Sequence, residues 1–272
     1  MPDAIVIPDI SEVRAGPFSR FGARMDHLYH ALVRRRFARI ARVLGAYTTP
    51  GAVIMDVGAN HGRFAKHLAA LHAGDCTLYA FEPLEYNRAV LRLAVKRARN
   101  VTIVPLALSN QAGQTELFIP YKKASKRFTH GSAHLGDRDS GVAFGTQTAP
   151  DVCRAVIDTI RLDDWARDND IQQLDLMKID VEGAEPLVIE GALATLERFR
   201  PVIYAELIPG MPERVGRRVE DVIEPLLGLG YEMHASDEHG AVSAKLDAWT
   251  PGVRDYLFIH PGKADRRQAP PA

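Results

Sequence analysis

The feature that most constrains the fold is a series of short, almost wholly apolar segments, most of which are followed by a segment with helical periodicity. These segments are residues 53–57, 77–81, 101–104, 174–179 and 202–206, and shorter strands are predicted at residues 115–119 and 156–160. The helices are predicted over residues 62–71, 84–99, 162–169, 186–196 and 213–229. A strand that is apolar on both faces must be covered on both faces, and strands that alternate with helices form parallel sheets. The sequence therefore predicts an α/β fold with a mostly parallel, open sheet and helices on both faces, without internal repeats.

Two further patterns extend this sheet. Residues 26–44 place apolar side chains every three to four positions among arginines, which predicts an amphipathic cap helix. Its basic face is either solvated, as most such faces are, or a contact for an acidic partner or a membrane. The late strands 232–235 and 256–259 have no long apolar helix between them, which predicts an antiparallel hairpin at the sheet edge.

The ends of the chain and one internal segment lack these patterns. Residues 120–155 lose all periodicity, and a loop of that length is either functional or disordered. The polar, proline-rich residues 261–272 predict a disordered tail. We therefore expect an N-terminal arm and cap helix over residues 1–50 and a main domain over residues 51–260 that carries the insertion loop.

Composition excludes several classes of protein. The 34 basic residues balance the 34 acidic residues, so the chain lacks the net positive charge of a general nucleic-acid binder. The apolar runs fall short of the ~18 residues that a membrane span needs, and the first residues do not resemble a signal peptide. Two cysteines, Cys76 and Cys153, do not indicate an oxidising compartment. A cytoplasmic globular protein is expected.

Glycines and acids collect where the predicted strands end, and ligands of open α/β sheets bind beyond those ends. Asp56 near the end of the first strand is followed by Gly58, Asn60 and Gly62, and Glu82 ends the second strand. An acid at the position of Glu82 is placed to accept hydrogen bonds from a ribose diol. Asn60 stands where a pyrophosphate-binding loop needs its second glycine, and Asp56 would repel a pyrophosphate. A carboxylate instead suits the ammonium and sulfonium of S-adenosylmethionine, so this cofactor is favoured over NAD.

The same segments resemble the FkbM family of class I methyltransferases, which use S-adenosylmethionine and have a Rossmann-like fold. The resemblance runs from about residue 53 to residue 206 and rests on five segments: 56–62 (DVGANHG), 80–83 (AFEP), 106–110 (LALSN), 159–164 (TIRLDD) and 178–185 (KIDVEGAE). It implies methyl transfer to a hydroxyl, often on a sugar or a polyketide-type metabolite. The cofactor is expected to contact Asp56, Gly58, Asn60, Gly62, Glu82, Pro83, Leu106, Ala107 and Asp180.

An alcohol that attacks a methyl group needs a general base or a metal, since its pKa is roughly that of bulk water, ~15.7. Asp180, at the end of a central strand, is the first choice for this base, and Glu182 on the following turn is the second. Glu182 has an alternative role, because acids also stabilise the start of a helix. His134 is the third candidate. It stands in the long loop where the family pattern has a small polar residue. It could act as a base if this loop is a lid that closes over the acceptor, and the alternative is a solvated, mobile insertion.

The acids at the strand ends raise the question of a metal ion. Asp180, Glu182 and Glu206 offer hard oxygen ligands of the type that Mg²⁺ takes. Their spacing is not diagnostic, however, and no bound metal is predicted.

The sequence thus predicts an S-adenosylmethionine-dependent O-methyltransferase that acts on a small-molecule or glycan hydroxyl. Two alternatives stay open: a methyltransferase for protein or RNA, and a non-catalytic, cofactor-binding module of the same fold. No nucleic-acid partner and no transmembrane segment are expected. The sequence leaves open whether the protein forms a homo-oligomer.

Overall fold

A computed structural model describes residues 35–122, 127–128, 133–136, 151–237, 240–250 and 252–264. The strands of this part of the chain are β1 (Ala52–Val57), β2 (Cys76–Phe81), β3 (Val101–Val104), β4 (Ala107–Leu108), β5 (Gly113–Lys122), β6 (Arg127–Phe128), β7 (Asp151–Ile160), β8 (Leu176–Ile179), β9 (Val202–Glu206), β10 (Glu232–Ser236), β11 (Val242–Leu246) and β12 (Asp255–Ile259). The helices are α1 (Arg35–Gly45), α2 (Ala65–Leu68), α3 (Glu85–Ala94), α4 (Leu162–Asp168), α5 (Glu185–Glu190), α6 (Leu193–Phe199), α7 (Glu220–Gly228) and α8 (Pro261–Ala264).

The main sheet of the described residues has the spatial order β11-β10-β12-β9-β8-β1-β2-β3. The pairs from β9 through β8, β1 and β2 to β3 are parallel, whereas β12 runs antiparallel to both β9 and β10. The predicted α/β class, with its mostly parallel sheet and antiparallel edge, is therefore confirmed.

Helices cover both faces of this sheet, as strands that are apolar on both faces require. On one face, Ile40 and Leu44 of α1 pack with Ile54 and Leu176 of the central strands. The opposite face carries α4, α5 and α7, and includes the buried Trp165. The two layers bury the centre of the sheet and leave its carboxyl edge for polar residues.

That edge brings the strand ends into one line. In the parallel register, the residues that directly follow β2, β1 and β8 are neighbours, and β9 pairs its last residue with the first residue of β12. The result is an edge row that runs, strand by strand, through Glu82, Gly58, Asp180, Glu206 and Asp255. It joins residues that are far apart in the sequence.

A second, four-stranded sheet of order β4-β7-β5-β6 was not predicted. Strands were expected only at residues 115–119 and 156–160, but β5 and β7 pair antiparallel along nine positions, from Gly113 with Thr159 to Tyr121 with Asp151. Their inward side chains, among them Ile119 and Ile157, form a separate apolar cluster. This sheet stands beside the carboxyl edge of the main sheet and becomes a wall of the cleft described below.

Several helices differ from the predicted ones for local reasons. The helix predicted over residues 186–196 is divided into α5 and α6 at Gly191, where a Cβ would lie 2.0 Å from the carbonyl oxygen of Ser109. The helix predicted from residue 213 starts at Glu220, because Gly216 adopts a left-handed φ of +67°. The helix predicted over residues 62–71 is only the single turn α2.

The ends of the described chain complete the fold. Strand β11 was missed because its side chains are mostly exposed and give no apolar pattern. Three parts of the chain lie outside the described residues: residues 1–34, most of the predicted loop and residues 265–272. The predicted N-terminal arm is therefore not described. Of the predicted tail only α8 is described. None of the helices in the described ranges has the length and apolar content of a membrane span.

Candidate functional site

A cleft opens at the carboxyl edge, between the main sheet and the second sheet, and comprises about 620 Å³ when the solvent space at its open mouth is included. Leu117 and Ile157 of the second sheet line one wall. The cleft brings together eight of the predicted site residues: Gly58, Asn60, Glu82, Pro83, Leu106, Ala107, Asp180 and Glu182.

The glycine loop after β1 approaches the opposite strand end very closely. Gly58 has a φ of +75°, and a Cβ there would lie 2.0 Å from the carbonyl oxygen of Asp180, so only glycine fits. Asn60 adopts a left-handed φ of +48°, which asparagine tolerates better than most residues. Gly62 does not line the cleft. A Cβ there would lie 2.7 Å from Cδ1 of Leu91, so Gly62 lets α3 pack against the loop.

Glu82 is 4% exposed, and its carboxylate organises the loop around it. Its Oε2 accepts a hydrogen bond from the backbone N–H of Asn60 at 2.9 Å. Its Oε1 accepts one from the N–H of Leu84 at 2.9 Å and one from Nδ2 of Asn87 at 3.1 Å. Burial raises the pKa of Glu82 above its ordinary value, and these donors oppose that shift. A carboxylate has about four acceptor positions, so one remains for a ligand in the cleft.

Asp56 was expected to contact the cofactor, but the structure places it elsewhere. It is 0% exposed and does not line the cleft, and its Oδ1 lies 3.0 Å from Nζ of Lys178. Burial alone would lower the pKa of Lys178, yet the charges of Asp56 and Asp180 raise it, so the ammonium stays protonated. Lys178 also donates to the backbone carbonyls of Val57 and Gly58, at 3.3 and 2.9 Å. Asp56 thus holds the lysine that shapes the loop.

The acidic candidates lie side by side at the other end of the cleft. The side chain of Asp180 is 36% exposed and lies 3.6 Å from Nζ of Lys178. Burial, with the charges of Asp180 and Glu206, raises the pKa of Glu182 to about 9. Burial, the charges of Asp180 and Asp255 and a hydrogen bond with Asp180 raise the pKa of Glu206 to about 8. Glu182 and Glu206 therefore hold protons at neutral pH, and the exposed Asp180 is the accessible carboxylate.

The turn that carries Glu182 is tightly held. Glu182 has a left-handed φ of +56°, which is uncommon for a residue other than glycine. A Cβ on the next residue, Gly183, would lie 2.5 Å from the carbonyl oxygen of Met211. Glu185 accepts hydrogen bonds from the N–H groups of Val181 and Gly183, as an acid at a helix start does. Backbone strain of this kind clusters at functional sites.

The structure does not bring His134 to the cleft. Its neighbours Ala133 and Leu135 line the cleft, whereas His134 is 1% exposed and is absent from the lining. Its main chain exchanges two hydrogen bonds with Phe118 of β5, at 2.8 and 3.0 Å. Because side chains alternate along an extended segment, the imidazole points to the other side of that segment. His134 is therefore not placed to act as the base.

Three residues of the site were missed or undervalued. Lys178 gave a signal, because a lysine within a strand that is buried on both faces requires a buried partner. Glu206 is the last residue of β9, and Asp180 directly follows β8. The sequence suggests Glu206 only as a magnesium ligand, although both acids stand at strand ends. Asn87, which supports Glu82 from α3, gave no signal, since one asparagine in a helix is unremarkable in sequence.

Comparison with known proteins shows the family of this chain. Residues 56–233 match the family described as the methyltransferase FkbM domain. The chain belongs to the FkbM methyltransferase family. This FkbM-family methyltransferase carries α1 and β12 outside the matched region. The resemblance found in the sequence motifs and the prediction of a methyltransferase are confirmed.

Two curated relatives are similar to this FkbM-family chain. The 31-O-demethyl-FK506 methyltransferase FkbM of Streptomyces tacrolimicus is 30% identical over 212 residues, which cover 71% of this chain and 78% of that protein. The 2-O-methyltransferase NoeI of Sinorhizobium fredii (strain NBRC 101917 / NGR234) is 26% identical over 176 residues, which cover 61% of this chain and 67% of that protein.

A crystal structure of a methyltransferase FkbM from Methylobacillus flagellatus KT is also similar, with 15% sequence identity and a TM-score of 0.49. The similarity covers 92% of this chain, which spans 56% of the length of that one.

The acids named above as ligands of the type that Mg²⁺ takes are Asp180, Glu182 and Glu206. Among the described residues, no group of three or more His, Cys, Asp or Glu side chains is arranged to hold a metal ion.

Proposed function

We propose that this FkbM-family methyltransferase uses S-adenosylmethionine to methylate a hydroxyl group of a sugar, a glycan or another small metabolite. The observation that carries the proposal is the cleft at the carboxyl edge, with a ribose-type acceptor, Glu82, at one end and an exposed carboxylate, Asp180, at the other. In the edge row, Glu82 and Asp180 lie on either side of Gly58.

The residues present fit the cofactor. Glu82 lines the cleft and keeps one acceptor position for a ribose hydroxyl, and Gly58 lines the cleft where the loop lies tightly against Asp180. Asn60 lies beside Gly58, while Leu106 and Ala107 offer an apolar border for the adenine. S-adenosylmethionine, when bound, supplies a methyl group that its sulfonium has already activated. The protein then mainly has to position the reactants and to take a proton.

Asp180 is the proposed base. Its carboxylate lines the cleft, is partly exposed, and is oriented by the nearby ammonium of Lys178. It can accept the hydroxyl proton as the acceptor oxygen attacks, a contribution that is typically worth 10²–10⁴-fold in rate. Glu182 lines the same end, but its raised pKa favours the protonated form at neutral pH. It is therefore the second choice for the base.

The acceptor class rests on the relatives. Their names are those of a 2-O-methyltransferase and a 31-O-demethyl-FK506 methyltransferase, which indicates transfer to oxygen atoms. The balanced charge of the chain speaks against RNA as the acceptor. We further propose residues 51–260 as the catalytic domain and the cytoplasm as the compartment. The two cysteines, both buried and free, are compatible with a reducing environment.

The test combines labelled S-adenosylmethionine with the purified protein and cell extract, followed by mass spectrometry of metabolites, glycans, proteins and RNA. We expect label in a small hydroxylated compound. Label in RNA or protein would refute the acceptor class, and cofactor binding without any transfer would indicate a non-catalytic module. Asp180→Asn should leave the Kd for S-adenosylmethionine nearly unchanged and lower kcat by roughly 10²-fold or more.

A further inference from the structure

Two carboxyl groups of the edge row are hydrogen-bonded to each other, and the proposed reaction uses only one of them. Asp180 lines the cleft, whereas Glu206, on the next strand, is half-buried behind it. Because Ile179 pairs with Ala205 in the parallel register, Asp180 and Glu206 are the next pair of neighbours, and a hydrogen bond between their side chains is one cause of the raised pKa of Glu206. Such a bond requires a proton on one of the carboxyl groups.

The surroundings favour Glu206 as the group that keeps this proton. The charged groups that face it are four acids and two cations: Asp180, Glu182, Glu185, Asp255, Lys178 and Arg36. Both cations have closer partners, since Lys178 pairs with Asp56 at 3.0 Å and Arg36 pairs with Asp255. Within the described part of the chain, no lysine or arginine forms an ion pair with Glu206. Burial and these acids raise its pKa to about 8.

We propose that Glu206 is a positioning residue for Asp180: its neutral carboxyl donates a hydrogen bond to the Asp180 carboxylate and holds it, singly charged and in one orientation, toward the acceptor hydroxyl. This inference rests on the function proposed above. When Glu206 loses its proton, the hydrogen bond is lost and the two carboxylates repel each other. Asp180 then turns away from the position in which it accepts the hydroxyl proton.

The first test needs neither cofactor nor acceptor. The full chain, with its glutamate side chains labelled at the carboxyl carbon, is titrated by ¹³C NMR in the presence of EDTA. We expect a glutamate signal with a midpoint near pH 8 that disappears in Glu206→Gln and moves to lower pH in Asp180→Asn. Glu190→Gln is the control, because Glu190 pairs with Arg217 outside the cleft. The proposal is overturned if Glu206→Gln removes no signal that titrates well above pH 6.

The second test measures methyl transfer to the acceptor that the labelling experiment identifies. Glu206→Ala should lower kcat at pH 7 by roughly 10- to 100-fold, with little change in the Kd for S-adenosylmethionine. Glu206→Gln should recover most of that loss, because its amide donates the same hydrogen bond. The wild type should lose kcat above pH 8, where Glu206 loses its proton, and this decline should be absent in Glu206→Gln. A glutamine variant as slow as the alanine variant overturns the positioning role. A chain that does not bind the cofactor refutes the proposed function instead, while the titration still decides whether the pair shares a proton.

Discussion

Replacing Glu82 by glutamine removes one acceptor oxygen from a carboxylate that already serves three protein donors. Two of these donors point at Oε1 and one, the N–H of Asn60, points at Oε2. If the glutamine oxygen takes the Oε1 position, its NH₂ group faces the N–H of Asn60, and two donors meet. Leaving this buried N–H unsatisfied costs about 1–3 kcal/mol of folding free energy.

The same change weakens cofactor binding. A hydrogen bond from a ribose hydroxyl to a charged acceptor is worth about 1.5–3 kcal/mol, so its loss raises the Kd for S-adenosylmethionine roughly 10- to 150-fold. The demethylated product, S-adenosylhomocysteine, has the same ribose and should lose affinity by the same factor. Isothermal titration calorimetry with both compounds measures the affinity, and urea unfolding measures the stability.

The matched control is Glu85→Gln. Glu85 lies three residues later, is exposed, and pairs with Arg88 and Arg92 on the surface of α3. Surface substitutions of this kind change free energies by about 0.5 kcal/mol or less, so the Kd should stay within about twofold of the wild type. If Glu82→Gln bound the cofactor as the control does while its stability fell, Glu82 would support the loop without contacting the ribose, and our assignment would be refuted.

Two further predictions concern the buried charges. Lys178→Met leaves Asp56 buried without its counter-charge and should lower the free energy of unfolding by about 3–5 kcal/mol, measured in urea, whereas the double variant with Asp56→Asn should recover much of the loss. Unchanged stability in the single variant would contradict the ion pair. Glu182 has a folded-state pKa of about 9 against an ordinary value of 4.5, so its contribution to stability is present below pH 4.5 and is lost progressively as the pH rises to 9. Glu182→Gln should flatten the pH dependence of the free energy of unfolding in that window, and an unaltered slope would contradict the raised pKa.

The part of the site that could be predicted from the sequence is local. Gly58, Asn60 and Glu82 follow directly after strands, and the edge where parallel strands end is the place where ligands bind. The apolar pattern of the two strands therefore predicts that these three residues lie at the carboxyl edge of the sheet. The same reasoning placed Asp180 at the opposite end of the cleft, where the structure has it.

The remaining features depend on contacts between distant segments. Asp56 is conspicuous in the glycine loop, but only the fold shows that Lys178 takes its charge and removes it from the cleft. The long pair of β5 and β7 was missed for a different reason. Cys153, Ala155 and Ile157 do alternate with Arg154 and other outward residues, yet the inward side chains are small and the pairing strand is distant. His134 was misjudged because the strand-like alternation of its segment appears only once that segment pairs with β5.

The position of β12 has a consequence for how the protein is made. This strand is fully buried and lies between β9 and β10, although both precede it in the chain. During synthesis, β9 and β10 therefore emerge from the ribosome with open edges and cannot complete the sheet until residues 255–259 follow. Open strand edges are templates for aggregation, so β9 and β10 are exposed to it until β12, the last strand of the described residues, joins the sheet. A fragment cut to the matched family region would keep that vulnerability permanently.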